Sequence, residues 1–240
     1  MNTKDNIYDP KFVKQLFDNM SKTYGLTNYL SSFGFTARWR KQCVKALPNN
    51  EIMSVGYDLM SGMGESWELI FKKAGEAQLF AVDISDAMNQ KANVNKERLK
   101  AENVNIVCAN ILDNGFPAAS ADFIVSTFGI KTFSSEQNKV LAQEIYRLLK
   151  PNGTFSLVEI SKPTVWILGS IYMFYLKFVI PIIGWLFNGN SADYRMLGRY
   201  CERFQNCREL MGYLQEEGLE VSYQRYFFGC ATGVTGRKID

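Results

Sequence analysis

The sequence predicts an α/β fold: a doubly wound, Rossmann-like sheet of seven strands with an antiparallel last strand, helices ahead of it and a hydrophobic helical insertion near its end. Three observations carry this. From residue 52 to residue 160, short apolar runs alternate with helical stretches, the pattern of a parallel sheet covered on both faces. The first such run ends in Asp58, then turns through Gly62 and Gly64 into the acidic helix start Glu65-Ser66-Trp67. Residues 164–187 later break the rhythm with twenty-four residues that carry a single charge, Lys177.

Along the chain, residues 10–47 read as a helical cap. Pro10 opens a helix with apolar positions at Phe12, Val13, Leu16, Phe17 and Met20. A joint rich in Gly, Ser and Asn follows (Gly25, Asn28, Ser31, Ser32, Gly34), then a second helix with Trp39, Cys43 and Leu47, stopped by Pro48-Asn49-Asn50. The alternation gives strand 52–58, helix 65–74, strand 78–83, helix 86–101 and strand 104–108. A loop through Gly115-Phe116-Pro117 leads to strand 122–128 and helix 134–149, and Pro151-Asn152-Gly153 turns the chain into strand 154–160. After the insertion a polar helix covers 203–217, Gly218 ends it, and strands 219–228 and 231–238 close the chain as an antiparallel hairpin at the sheet edge. The expected organisation is one domain over residues 1–240, with the cap at 10–47 and a hydrophobic lid at 164–200.

Composition narrows the function. The net charge is +3 with acids and bases interspersed, so no basic run points to nucleic acid, while an anionic membrane surface is not opposed. Five scattered cysteines (Cys43, Cys108, Cys201, Cys207, Cys230) form no Cys-x-x-Cys pair, which fits reduced thiols in a cytoplasmic protein and no metal site. The absence of histidine excludes histidine-based triads and most zinc or iron sites, leaving carboxylates, Tyr, Lys, Cys or water as bases.

The strand, turn and helix at 52–64 bring bare backbone close to a ligand and aim a helix N-terminus at it, as a nucleoside cofactor requires. A dinucleotide turn needs a third glycine where Trp67 stands, which argues against NAD or FAD. Asp83 ends the next strand about twenty residues after the turn, where a carboxylate accepts hydrogen bonds from two ribose hydroxyls. Asn110 follows strand 104–108, where an amide reads an adenine edge, and Thr127 ends the strand after that. Four consecutive strands thus offer polar groups at their carboxyl ends. Taken singly, the glycines also fit an ordinary turn and Asp83 a helix cap.

These residues, with the stretches around them, resemble the ubiquinone/menaquinone biosynthesis C-methyltransferase family of class I S-adenosylmethionine-dependent methyltransferases. The resemblance starts at Phe17-Asp18, Tyr24, Asn28, Ser32-Phe33-Gly34 and Trp39-Arg40. It continues through Asp58-Leu59, Gly62, Gly64, Asp83-Ile84-Ser85, Met88 and Phe128-Gly129-Ile130. Tyr146-Arg147-Leu148-Leu149-Lys150-Pro151, Glu159-Ile160-Ser161-Lys162-Pro163, Val179-Ile180-Pro181 with Gly184, and Tyr194-Arg195 complete it, so that it covers about residues 12–238. It implies S-adenosyl-L-methionine as cofactor. The backbone of residues 61–64, including Ser61, would face the methionine end, with Asp58 ordering the turn and contacting the cofactor. Asp83 would hold the ribose, Ile84 and Ile111 would sandwich adenine, Asn110 would contact its edge, and Trp67 and Thr127 would add contacts.

The resemblance implies a hydrophobic small-molecule acceptor, a prenylated benzo- or naphthoquinol, methylated on carbon. The chain departs from the family around that acceptor. Lys131-Thr132 stands for an Arg-Asn pair, and Lys lacks the planar fork of the Arg that organises proton removal. Gly25 replaces an Asp, Thr36 and Thr235 replace His, Asn190 replaces an acid, and Met63 replaces a Thr in the turn. Lys131, Tyr24, Tyr194 and Asp193 are the candidate acceptor-site groups, the two tyrosines being equally readable as packed residues with a bonded tip. Residues 164–187 are long enough to span a bilayer, but Lys177, Pro181, Gly169 and Gly184 interrupt them. A packed lid or homodimer contact is one reading. A greasy lid that admits a lipid-like substrate or touches the membrane surface is the other. Two rivals stay open: a natural-product methyltransferase acting on O, N or C of a small aromatic, and a non-catalytic S-adenosylmethionine-binding protein.

Overall fold

The computed structural model describes residues 7–21, 32–48, 53–186 and 190–239. The strands are β1 (Val55–Leu59), β2 (Gln78–Asp83), β3 (Val104–Cys108), β4 (Ala121–Thr127), β5 (Leu149–Ile160), β6 (Leu219–Tyr226) and β7 (Ala231–Lys238). They form one seven-stranded sheet in the order β3-β2-β1-β4-β5-β7-β6. Pairings from β3 across to β5 are parallel, while β7 runs antiparallel to both β5 and β6. The chain begins in the middle, winds out to β3, then returns to β4. The carboxyl ends of β1 and β4 therefore flank a switch point, where open α/β sheets leave a crevice. The close approach of these two strands is written into Gly56, where a Cβ would lie 2.0 Å from Phe123 Cζ. At their amino ends the Asp122 carboxylate accepts from the amides of Ser54 and Val55 at 3.0 and 2.8 Å.

Helices α1 (Pro10–Met20), α2 (Phe35–Ala46), α3 (Trp67–Ala74), α4 (Asp86–Leu99), α5 (Ser135–Leu148), α6 (Trp166–Phe174), α7 (Ile180–Leu186), α8 (Ser191–Phe204) and α9 (Arg208–Glu216) surround the sheet. Their starts follow capping chemistry. Asp9 accepts from the amides of Lys11 and Phe12, Ser85 from Met88, and Ser134 closes a capping box with Gln137. One face of the sheet packs on α5 and α9 through Leu141, Ile145, Leu210 and Leu214. The other packs on α2, α3 and α4 through Trp39, Val44, Trp67, Ile70 and Ala92. A third cluster, with Leu16, Met20, Met88, Met173, Leu176, Tyr194 and Tyr200, joins α1 to the insertion above the strand ends.

Three boundaries differ from the sequence reading. β1 continues past Asp58 to Leu59, so Asp58 sits inside the sheet, opposite Ala81 and Val125. β5 starts at Leu149, and the Pro151-Asn152-Gly153 turn becomes an irregularity within it: Asn152 has φ 63° and the register shifts between Ala121 and Phe123. The single helix expected at 203–217 is two, α8 and α9, broken at Gln205 with φ 59°. Polar Arg208 and Glu209 marked the second helix. The first was hidden because its apolar positions Tyr194, Tyr200, Cys201 and Phe204 run on from the apolar insertion.

The insertion is one helical rod with a π turn at Tyr175–Val179 between α6 and α7. Pro181 cannot donate to the Lys177 carbonyl, and the wider turn absorbs the lost bond. By length and composition Trp166–Leu186 could cross a membrane. In the fold one stripe of it, Gly169, Met173, Leu176, Ile180 and Gly184, is buried. Gly184 lies under the Tyr194 ring, which a Cβ would meet at 2.4 Å, and Gly198 of α8 backs onto Lys177 and Leu176. Small residues on both helices permit this close packing.

Candidate active site

The loops that leave the carboxyl ends of β1, β2, β3 and β4 meet in a cleft roofed by Pro10, Val13 and Phe17 of α1. Ser61, Gly62, Asp83, Ile84, Asn110, Ile111 and Thr127 all line it. Gly62 adopts φ 56°, a conformation open to glycine, and so turns its amide back to donate to Asp83 Oδ2 at 2.8 Å. The Ser85 amide donates to Oδ1 at 2.8 Å. Burial pushes the Asp83 carboxyl up to about 6, against the opposing pull of those two amides. Ser61 Oγ is buried in the wall and has no hydrogen-bond partner among the described residues. Thr127 Oγ1 lies 3.0 Å from Ser66 Oγ, and Asn110 Oδ1 accepts from the Leu112 amide at 3.1 Å, fixing the loop after β3 as a tight turn.

Three of the residues singled out in the turn stand behind this wall. The Trp67 indole is fully buried and its Nε1 donates to Asp58 Oδ2 at 3.1 Å. Gly64, at φ 79°, clears room for that ring, since a Cβ would lie 2.5 Å from Trp67 Cε2. Asp58 is 1% exposed, and burial pushes its carboxyl up to about 8. Where a dinucleotide turn keeps a glycine for helix–sheet packing, this chain fills the space with an indole tied to the buried acid.

A second cavity lies next to the cleft beneath the insertion. Phe35, Thr36 and Trp39 of α2, Leu168, Ile171 and Tyr172 of α6, and Tyr175, Leu176, Ile180 and Phe227 make it apolar. Lys131 is the one charged side chain among its described lining residues. Its Nζ donates to Glu159 Oε1 at 2.9 Å and to the Phe128 carbonyl at 2.7 Å. Glu159 is wholly buried and also accepts from the amides of Lys131 and Ile160, at 3.0 and 2.7 Å. Burial holds the Tyr172 phenol well above its ordinary range, and its hydroxyl donates to the Cys230 carbonyl at 3.4 Å.

Phe128 borders both cavities. It has φ 70°, rare for an aromatic residue, held by the hydrogen bond its amide donates to the Val158 carbonyl at 2.9 Å. Gly129 follows because a Cβ there would meet Met60 Cβ at 2.4 Å. The other acceptor-site candidates lie elsewhere. Tyr194 is fully buried between α7 and α8, and Asp193 takes a hydrogen bond from Asn19 of α1; neither borders the two cavities. Tyr24 and Gly25 fall outside the described residues. Thr36 borders the chamber with Oγ1 2.9 Å from Ser32 Oγ, and Asn190 caps α8 by accepting from the Ala192 amide.

The ubiE/COQ5 methyltransferase family matches residues 2–238, almost the whole chain. This chain belongs to that family. It is 33% identical over 222 residues to a demethylmenaquinone methyltransferase of Thermotoga maritima, covering 92% of this chain and 93% of that one. It is 32% identical over 218 residues to a ubiquinone/menaquinone biosynthesis C-methyltransferase UbiE of Rickettsia bellii, covering 88% and 86%. Among solved structures, a SAM dependent methyltransferase from Aquifex aeolicus superposes with a TM-score of 0.58 at 17% identity, over 96% of this chain and 99% of that one, which is a likeness of fold. The chain is thus an S-adenosylmethionine-dependent methyltransferase of the class I fold.

The cleft suits that methyl donor on its own terms. It combines a glycine turn open to close approach, a half-buried carboxylate and a hydroxyl unpartnered among the described residues. Sequence reasoning did not single out Phe128, Glu159, Glu65, Arg40 or Tyr172 as site residues. Phe128, Arg40 and Glu159 belong to three separate stretches of the chain, and only the fold reveals that Arg40 stacks on Phe128 and that Lys131 bridges the Phe128 carbonyl to Glu159.

Proposed function

We propose that this enzyme transfers a methyl group from S-adenosylmethionine to a ring carbon of a hydrophobic quinol or related phenol, of the prenylated benzo- or naphthoquinol type. The observation that carries the reading is the apolar chamber that shares Phe128 with the cofactor cleft and is bordered by one charged side chain among its described lining residues, Lys131, held from behind by Glu159. A small soluble phenol would leave most of that apolar wall bare, whereas a ring with an isoprenoid tail can cover it. The names of the Thermotoga and Rickettsia relatives support the same acceptor class.

When bound, the cofactor supplies a methyl group on a sulfonium, open to in-line attack. The chain supplies alignment, exclusion of water and charge. Asp83 takes the ribose hydroxyls, Ile84 and Ile111 flank the adenine, Asn110 meets its edge, and Ser61 and Gly62 face the methionine end. Thr127 borders the cleft near Phe128, and Asp58, Gly64 and Trp67 hold the turn from behind. Lys131 offers its ammonium to the phenol oxygen and so favours the phenolate, whose ring carbon is the stronger nucleophile. Glu159 fixes the position of that ammonium. Tyr194 and Asp193 act through the packing of α8 rather than on the acceptor.

The same reading extends to the membrane. Trp166, Ile167, Ile171, Phe174, Phe178, Ile182 and Trp185 are exposed on the outer side of the insertion, and Ile171 also borders the chamber. A peripheral location at the membrane surface, with this face against lipid, would pass a prenylated acceptor from bilayer to chamber without exposing its tail to water.

The test is transfer of label from S-adenosylmethionine to a reduced prenylated naphthoquinol or benzoquinol carried in liposomes. Labelled, carbon-methylated quinol is expected. Label on small water-soluble phenols and none on either quinol would overturn the acceptor assignment in favour of a natural-product substrate.

A further inference from the structure

One end of the cofactor cleft carries a pair of opposite charges that the adenosine contacts do not use. Arg40 comes from α2 and Glu65 from the loop after Gly64, and Arg40 Nη2 donates to Glu65 Oε1 at 3.0 Å. Both line the cleft, and Arg40 is the one basic residue among the described lining residues. Arg40 is 9% exposed, its Cζ stands 5.2 Å from the centre of the Phe128 ring, and its Nε has no hydrogen-bond partner among the described residues. Glu65 reaches back over the turn, with Oε2 3.4 Å from the position a Gly62 Cβ would take. Ser61 Oγ is likewise unpartnered in that wall.

A cation, an acid and an unspent hydroxyl together match the free amino-acid end of S-adenosylmethionine, which carries one carboxylate and one ammonium. The match rests on the methyl-donor reading above. The remaining acid of the cleft, Asp83, lies at the ribose position beyond Gly62. We propose that Arg40 and Glu65 are the clamp for the donor's amino-acid end: the guanidinium takes the carboxylate and Glu65 takes the ammonium. The guanidinium presents five donors in a fixed plane, so binding the carboxylate does not require release of Glu65. Because Arg40 also lies over Phe128, the clamp positions the donor's reactive end at the wall shared with the apolar chamber.

The test compares two ligands by titration calorimetry. S-adenosylhomocysteine carries the amino-acid end, and 5′-methylthioadenosine has the same adenosine and thioether without it. Arg40→Gln is expected to weaken S-adenosylhomocysteine about tenfold or more while leaving methylthioadenosine within about twofold of wild type. Glu65→Gln should show the same selectivity, and Arg40→Lys should recover part of the loss. Unchanged methylthioadenosine affinity doubles as the check that the cleft is folded. An equal loss for both ligands, or no loss for either, overturns the clamp and leaves Arg40 a packing partner of Phe128. Wild-type protein that binds neither ligand overturns the methyl-donor reading itself, a result distinct from both.

Discussion

Trp67 and Asp58 meet 3.1 Å apart between helix α3 and strand β1, the indole N–H being the one side-chain donor among the described residues to a carboxylate that the sheet encloses. Asp58 Oδ1 has no partner among the described residues. Trp67→Phe keeps an aromatic ring and removes that donor. It should cost about 1–3 kcal/mol of stability, and more at about pH 9 than at about pH 5, because the ionised carboxylate loses the stronger bond. Urea unfolding at the two pH values measures this, and an equal cost at both would refute the pairing.

The same acid sets a pH dependence for the whole fold. Burial raises Asp58 to about 8 in the native state, whereas an unfolded Asp titrates near about 4. Across that window the folded protein keeps a proton that the unfolded chain has released, so stability falls as pH rises. Asp83, raised to about 6, adds to the lower part of the window. Thermal melts should show the transition temperature dropping from about pH 5 to about pH 8, with a shallower drop in Asp58→Asn.

Asp83 gives the opposite slope for ligand binding. Ribose hydroxyls donate best to the ionised carboxylate, so the cofactor must drive off any proton held there. Affinity should therefore weaken as pH falls below about 6. Asp83→Ala should abolish cofactor binding with the fold intact, and Asp83→Asn should bind weakly without the pH dependence. Calorimetric titration across pH decides this; wild-type affinity in the alanine variant would remove Asp83 from the ribose.

Lys131 and Glu159 are 2% and 0% exposed at the side chain, so breaking the pair strands a buried charge. Lys131→Ala should lower stability by about 3–5 kcal/mol. Lys131→Arg keeps the pairing and should preserve or raise quinol methylation, read as turnover with a prenylated quinol in liposomes. A folded Arg variant with collapsed turnover would mean that the ammonium itself is fitted to the acceptor.

Much of the fold was legible because its signals are local. Strands β2 and β3, and helices α3 and α4 to within about two residues, follow from alternation and capping, and the cleft residues follow from their place at strand ends. What stayed hidden depends on contacts distant in sequence. Arg40 reaches Phe128 only when α2 packs across β4 and β5, and Lys131 reaches Glu159 only when β4 and β5 pair. The family resemblance implies a cofactor contact at Trp67, but an indole there points down into the sheet when Gly64 leaves space for it. The break at Gln205 was lost because the apolar face of α8 continues the apolar run before it.

Phe128 is where two separately built halves of the enzyme touch. The sheet's own loops, with α1 and Arg40, line the proposed donor cleft, whereas the aromatic face of α2 and the insertion line most of the proposed acceptor chamber. A change on the chamber side of α6, at Leu168, Ile171 or Tyr172, can therefore reshape what is methylated while the strand-end loops that line the cleft stay in place. The scaffold separates the inheritance of a reaction from the choice of its target, and one aromatic ring marks the seam.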